Sequence, residues 1–229
     1  MVNHYDQNLI GQIQLLQNIS EYKAIAGLEK EDVKQELDTV RDRRRTKLFN
    51  YRNDTGAIKL LIEFIRPETR LIIAGDNYDI YAMLGIAAEL GWKSTVVGKT
   101  KKLSKHVYHL AEKVLDYDAV KSIPINEYSA VLLMTHDYNH DLNLLKYFKD
   151  TKVAYLGILG PKKRFKKLEN ELGEDLSKFS FIHSPTGLEI GAESPEEIAL
   201  SICAEVIAKM RNKPGGSLHQ KVGSIHSTI

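Results

Sequence analysis

The chain has 229 residues, 43% of them hydrophobic and 27% charged, with 32 basic and 30 acidic side chains for a net charge of +2. This length holds one large or two small domains, and this composition belongs to a folded globular protein. The balanced charge gives no general attraction to nucleic acid or acidic membranes, and no apolar run approaches the ~20 residues that span a bilayer.

The opening Met-Val-Asn-His-Tyr-Asp-Gln lacks the basic and apolar regions of a secretory leader. A single cysteine, Cys203, excludes an internal disulfide and suits a cytoplasmic location. Leu9, Ile13, Leu16 and Ile19 recur at helical spacing and predict a helix over 6–20. Val33, Leu37 and Val40 predict a second over 29–43, closing in a basic run whose cations complement the terminal carbonyls. Asn53-Asp54-Thr55-Gly56 is a turn signal, Ile58–Ile65 reads as a strand, and Arg66-Pro67 marks a domain boundary.

From Thr69 onward, apolar runs alternate with helical patterns. Strands are expected at 70–74, 94–97, 130–134, 153–158 and 181–182. Helices are expected at 79–90, 104–114, 141–148, 162–172 and 195–210. This alternation predicts an α/β fold with a doubly wound parallel sheet, preceded by a small, mainly helical segment. The last helix carries its own start signal, with Ser194 as N-cap, Pro195 at the first helical position and Glu197 three residues after the cap. Cys203 lies on its apolar stripe, as a core residue rather than a nucleophile. Three parts follow: a reduced N-terminal domain over 1–66 with helices and one strand, an α/β domain over 67–213, and a flexible tail over 214–229.

In open α/β sheets, ligands bind beyond the carboxyl ends of the strands. The first strand ends in Gly75-Asp76-Asn77-Tyr78-Asp79-Ile80, an altered dinucleotide motif. Gly75 holds the first glycine position, Asn77 the second and Ile80 the third. The next strand ends in Val97-Gly98-Lys99 without the acid that contacts an NAD ribose. Lys99, Lys101 and Lys102 either meet a phosphate, as in NADP binding, or form a solvated loop.

A third break reads Thr135-His136-Asp137. Asp137 is either a helix N-cap or a ligand contact. His136 is placed to carry a proton or meet an oxo or phosphate group, and His140 would share its face if both were helical. No zinc-type spacing accompanies them, so no metal site is expected. The fourth break, Gly157-Ile158-Leu159-Gly160-Pro161-Lys162-Lys163-Arg164, joins glycines to a helix start bearing three cations. Cations there oppose the helix dipole, so an anion cradle weighs against a merely solvated basic helix.

These blocks resemble the C-terminal domain of the XdhC/CoxI family. The resemblance rests on Met134-Thr-His-Asp137, Asp141-Leu142, Tyr155-Leu-Gly-Ile-Leu-Gly160 with Lys163-Arg164, Ile182-His-Ser-Pro-Thr-Gly-Leu-Glu-Ile-Gly-Ala192 and Ser194-Pro-Glu-Glu-Ile-Ala199. Pro67 to Val97, with Gly91-Trp92, resembles the family's opening strands, and the resemblance covers most of 58–212. It implies a Rossmann-like accessory protein for maturing a molybdenum hydroxylase such as xanthine dehydrogenase. Such a protein binds molybdenum cofactor and is commonly a homodimer, more a cofactor carrier than a catalyst.

On this reading Gly157, Gly160, Lys163 and Arg164 hold phosphate, while His136, Asp137 and His183 face the reactive end. Gly75, Asn77, Thr135, Thr186 and Gly187 complete the expected pocket, Thr186 and Gly187 by offering free N–H groups beside His183. Ala26-Gly27-Leu28-Glu29 resembles the remnant of a family segment that carries a cysteine, absent here. Two alternatives stand beside this one. One is an NAD(P)-dependent oxidoreductase using the Gly75 turn; the other is a degenerate paralogue acting only through protein contacts.

Overall fold

The computed structural model describes residues 30–222, apart from residues 44, 54 and 55, so the helix expected over 6–20 and the Ala26–Leu28 stretch lie outside the described residues. The described residues fall into two compact units divided between Arg66 and Pro67.

In the first unit, α1 (Lys30–Arg43) is followed by β1 (Lys47–Asn53) and β2 (Gly56–Ile62). The two strands pair antiparallel, with Asn53 opposite Gly56 across the predicted turn. Only the second strand is expected from the sequence. β1 carries Lys47, Asn50, Arg52 and Asn53 among its seven residues, too polar to read as a strand without its partner. Val33, Val40, Phe49, Leu60 and Ile62 form the unit's core.

The second unit is a six-stranded sheet made of β3 (Arg70–Ala74), β4 (Lys93–Val97), β5 (Lys113–Leu115), β6 (Ser129–Leu133), β7 (Tyr155–Ile158) and β8 (Ile182–His183). The spatial order is β5-β4-β3-β6-β7-β8, and every neighbouring pair is parallel. This is the doubly wound Rossmann order, which reverses direction between β3 and β6 and opens a crevice there. The expected fold class is the observed one.

The connecting helices are α2 (Asp79–Glu89), α3 (Lys105–Leu110), α4 (Tyr138–Phe148), α5 (Lys162–Leu172) and α6 (Pro195–Met210). One sheet face packs on α2, α3 and α6 through Leu71, Ile73, Met83, Leu84, Leu132 and Ile202. The other packs on α4 and α5 through Ile72, Val131, Leu145, Phe148, Leu156 and Leu168. Strand β3 from Leu71 to Ala74 and strand β6 from Ala130 to Leu133 are continuous apolar runs because both of their faces are covered.

β5 stands where the sequence predicts one helix running from 104 to 114. The helix stops at Leu110, and the Glu112 N–H donates to the Ser94 carbonyl at 2.8 Å, drawing the chain alongside β4. Beyond Met210 the chain continues along this unit to Val222, with Gly215 lying against Leu188 and Ala208. Among the described residues no helix is long and apolar enough to cross a membrane.

Candidate functional site

The crevice begins at the end of β3. Gly75 is required by close approach, because a Cβ there would lie 2.6 Å from the Met134 carbonyl oxygen. The loop beyond it bears Asp76, Asn77 and Asp79. Asp76 Oδ2 accepts the Lys99 N–H at 3.0 Å and so bridges the ends of β3 and β4. Helix α2 then starts without a side-chain cap, and Ile80 at the third motif position is fully buried in the core.

Across the gap, Thr135 follows β6 into a tight corner. Its Oγ1 donates toward the Asp137 carbonyl at 2.9 Å or the Asp141 Oδ1 at 2.5 Å, and it accepts the Asp137 N–H at 3.1 Å. This bonding holds His136 at φ 57°, a left-handed conformation uncommon outside glycine and found at functional sites. The turn aims the imidazole back across the crevice, where Nε2 lies 2.6 Å from Asp79 Oδ2. An ionised carboxylate only accepts, so Nε2 carries the proton and the other ring nitrogen is left for solvent or a ligand. His136 is half exposed, whereas Asp79 is mostly covered. The second Asp79 oxygen, Oδ1, is buried with no hydrogen-bond partner.

Asp137 caps α4 by accepting the N–H groups of Asn139 and His140 at 2.9 and 3.0 Å. The His140 and Asn139 amides hold its carboxyl below the usual carboxylate range. His140 does not share a face with His136, since His136 precedes the helix; it stacks on Tyr117 with centroids 4.1 Å apart. Burial, helped by Asp76, Asp141 and Asp137, pushes the Tyr117 hydroxyl above its ordinary value.

The Gly160 corner differs from the expected cradle in two respects. Gly157 lies inside β7, where a Cβ would meet Thr186 Oγ1, Leu132 Cδ2 at 2.8 Å and Tyr155 Cε1 at 2.8 Å. It is a packing glycine one strand position below the edge, not a phosphate contact. Arg164 is committed elsewhere as well: its guanidinium pairs with Asp141, which is 1% exposed. Gly160 takes φ 129°, and the Arg164 side chain passes beside it. What remains open is the start of α5, which has no side-chain cap and no acid in its first turn. Pro161, Lys163, Lys166, Lys167 and Asn170 line an open cavity of about 520 Å³ there, with Arg164. Lys167 Nζ also sits 4.3 Å from the centre of the Tyr138 ring.

The two histidines expected to converge are held apart by different carboxylates. His183 lies in register with Gly157 in β8, two strands from β6, and stacks on Tyr155 at 4.6 Å. Its Nδ1 is 3.5 Å from Glu205 Oε1 on α6. The N–H groups expected to be free beside it are used internally. Gly187 N–H donates to Glu205 Oε2 at 2.8 Å, Thr186 N–H to the Ile158 carbonyl at 3.3 Å. Tyr155 Oη donates to the same Glu205 oxygen at 2.5 Å and lies 2.5 Å from Thr186 Oγ1, which therefore donates to it. The cluster fastens the 184–187 loop to the sheet.

Burial, ahead of the opposing attraction of Glu205, holds His183 below its ordinary value of 6.5, and Lys209 lowers it further. The unfolded chain therefore takes up this proton first. The imidazole contributes stability that is present above about pH 6.5 and lost as pH falls through its depressed native value. His183→Gln is expected to flatten the loss of stability between about pH 7 and 5. Urea midpoints across that range measure this, and an unchanged slope would show that His183 titrates as in the unfolded chain.

Asp79, Asp141, Tyr155 and Glu205 are not among the site residues expected from the sequence. There, Asp79 appears only within the altered dinucleotide motif, and Asp141 only within a block that carries the family resemblance. The chain's cysteine, Cys203, is buried, and burial pushes its thiol up to about 12, so it offers no thiolate.

Comparison with known proteins identifies the family. Residues 71–206 match the family model described as the XdhC Rossmann domain. The chain is 29% identical over 152 residues to a Bacillus subtilis protein named as a "Probable xanthine dehydrogenase subunit", covering 65% of this chain and 45% of that protein. It is 32% identical over 145 residues to the "Molybdenum cofactor insertion chaperone PaoD" of Escherichia coli, covering 62% and 40%. The chain thus spans less than half the length of these curated relatives. A crystal structure described as a xanthine dehydrogenase from Bacillus halodurans shares the fold, with a TM-score of 0.59 and 24% identity over 82% of this chain and 67% of that one.

Proposed function

Since this chain belongs to the XdhC Rossmann-domain family, we propose that it is an accessory protein for molybdenum hydroxylase maturation, carrying molybdenum cofactor at the carboxyl end of its sheet. The names of the Bacillus and Escherichia relatives support the class of function. The observation that carries the reading for this chain is the open, cationic start of α5 beside the β3–β6 crevice.

The residues fit a phosphorylated heterocycle. An uncapped helix start attracts an anion through its free N–H groups and dipole, and Lys163 and Lys167 add charge there. Asp79 Oδ1, buried and unpartnered, suits an N–H donor on a heterocyclic ring, since an unmade bond to a buried carboxylate is costly. β3 and β7 flank β6, so ordinary strand spacing puts these two ends about 10 Å apart. When bound, the cofactor would supply the molybdenum centre destined for a client enzyme. This chain's own residues hold phosphate at α5, accept a hydrogen bond at Asp79, and present a proton-carrying imidazole at His136. Cys203, buried with its thiol pushed up to about 12, supplies no thiolate to this site. A homodimer in a reducing cytoplasm belongs to the same proposal.

The test uses Lys163→Glu with Lys167→Glu, both exposed, so that folding is spared. Arg164 is left alone because of its buried partner. The double variant is expected to lose at least ~10-fold in retained molybdenum per protein, since two charged hydrogen bonds are removed. Unchanged retention after gel filtration would reject the site. Micromolar NADPH binding by calorimetry, with no effect of the double variant, would favour an oxidoreductase.

A further inference from the structure

The opposite, amino end of the sheet holds a cavity of about 270 Å³ whose walls include Arg70, Ile72, Lys93, Thr95, Lys113 and Leu115. It exists because of a local break in the fold. The crossover from β5 to β6 is a short 3₁₀ turn, Tyr117–Ser122, so the ends of β3, β4 and β5 on that face lie outside the cover of α4 and α5. Ile123, from the same crossover, closes one side.

The charge pattern around it is unusual for a structural surface. Arg70 is the register partner of Lys93, and Thr95 that of Lys113. Residues opposite each other on neighbouring strands point to the same face, where adjacent like charges are unfavourable. Lys93 lies 3.3 Å from Glu68, both exposed, a contact that contributes little. Among the described residues neither Arg70 nor Lys113 has an ion-pair partner, and Glu112 is the single acid on the rim. Three cations thus surround a floor made by Ile72, which is 1% exposed, and Leu115.

We propose that this cavity is a second binding site, separate from the β3–β6 crevice, for a small amphipathic anion: a carboxylate or phosphate group on a compact apolar body. The cations neutralise the head group, and the Thr95 hydroxyl can donate a hydrogen bond to it, while the Ser122 hydroxyl is spent on the Ala119 carbonyl at 2.7 Å. Ile72, Leu115 and Ile123 receive the apolar part. At about 270 Å³ the volume lies just below the ~300–1,000 Å³ usual for ligand pockets, which favours a single-ring ligand over a nucleotide.

The test is an amide chemical-shift titration of the full chain with phenyl phosphate and benzoate, using inorganic phosphate and phenol for comparison. Saturable shifts at Lys93–Thr95, Lys113–Leu115 and Ser122–Ile123 are expected with phenyl phosphate or benzoate, and the tighter of the two identifies the head group. Inorganic phosphate and phenol should each bind about tenfold more weakly or worse. Arg70→Gln with Lys113→Gln should weaken binding about tenfold or more without lowering the thermal midpoint, whereas Lys163→Glu with Lys167→Glu should leave binding here unchanged. Shifts confined to the β3–β6 crevice, no saturable shift at millimolar ligand, or equal binding by the Arg70/Lys113 variant would overturn the proposal. So would inorganic phosphate binding as well as the aromatic anions. None of these outcomes depends on molybdenum cofactor being carried elsewhere.

Discussion

Arg164→Met is expected to destabilise the protein by about 3–5 kcal/mol, the usual penalty for stranding one member of a buried ion pair. Asp141 is 1% exposed, and its two oxygens are divided between Thr135 and Arg164. Without the guanidinium, a carboxylate remains in the interior with one hydroxyl for compensation. The same pair links α4 to α5, so its loss should loosen the corner at Gly160 together with the one at Thr135. A second change tests the cause. Asp141→Asn added to Arg164→Met removes the stranded charge and keeps a group for Thr135, so it should restore more than half of the loss. Urea unfolding with an unchanged m-value measures both. A single-variant penalty below about 1 kcal/mol would place the pair among ordinary surface contacts.

Glu205→Ala is expected to cost about 3 kcal/mol, because one buried carboxylate oxygen takes hydrogen bonds from both Tyr155 and Gly187 and bonds to charged groups are the stronger kind. Burial, with help from Glu205, already pushes the Tyr155 hydroxyl above its ordinary value, so it stays a donor at any working pH. The effect should be local as well as global. Hydrogen exchange at the Gly187 amide should accelerate more than at Leu132 or Ile73 amides in the sheet centre. Glu205→Gln keeps an acceptor and should cost about half as much. Equal exchange at Gly187 in wild type and Glu205→Ala would show that the loop is held by other contacts, such as Ser201 Oγ to the Leu188 carbonyl at 3.0 Å.

The break after β6 is legible in the sequence because its signal is local: an apolar run stops and polar residues begin, and the fold puts that stop beside the end of β3. What His136 does there is not legible. Its partner Asp79 is 57 positions away, and nothing near either residue encodes their meeting. Gly157 shows the opposite error. In the sequence it belongs to a glycine-rich break; in the sheet it sits a position short of the edge, with Tyr155 and Thr186 against its α-carbon. The expected convergence of His136 and His183 fails for a related reason. Strand ends share a sheet edge, but alternation sends successive side chains to opposite faces, and His183 points into the side covered by α6 rather than over the edge.

The amino-acid sequence alone determined the parallel α/β architecture, the limits of β3, α5 and α6, and the cap at Ser194, where the Glu197 N–H donates to Ser194 Oγ at 3.2 Å and the Ser194 N–H to the Glu197 carboxylate at 3.0 Å. All of these follow from apolar periodicity and from groups within three or four residues of one another. Only the tertiary structure decided that β1 and β5 are strands, that Arg164 serves Asp141, and that the histidines answer to separate carboxylates. Weak strands form only when a neighbour supplies their hydrogen bonds, and a charged side chain takes the partner that folding brings within reach.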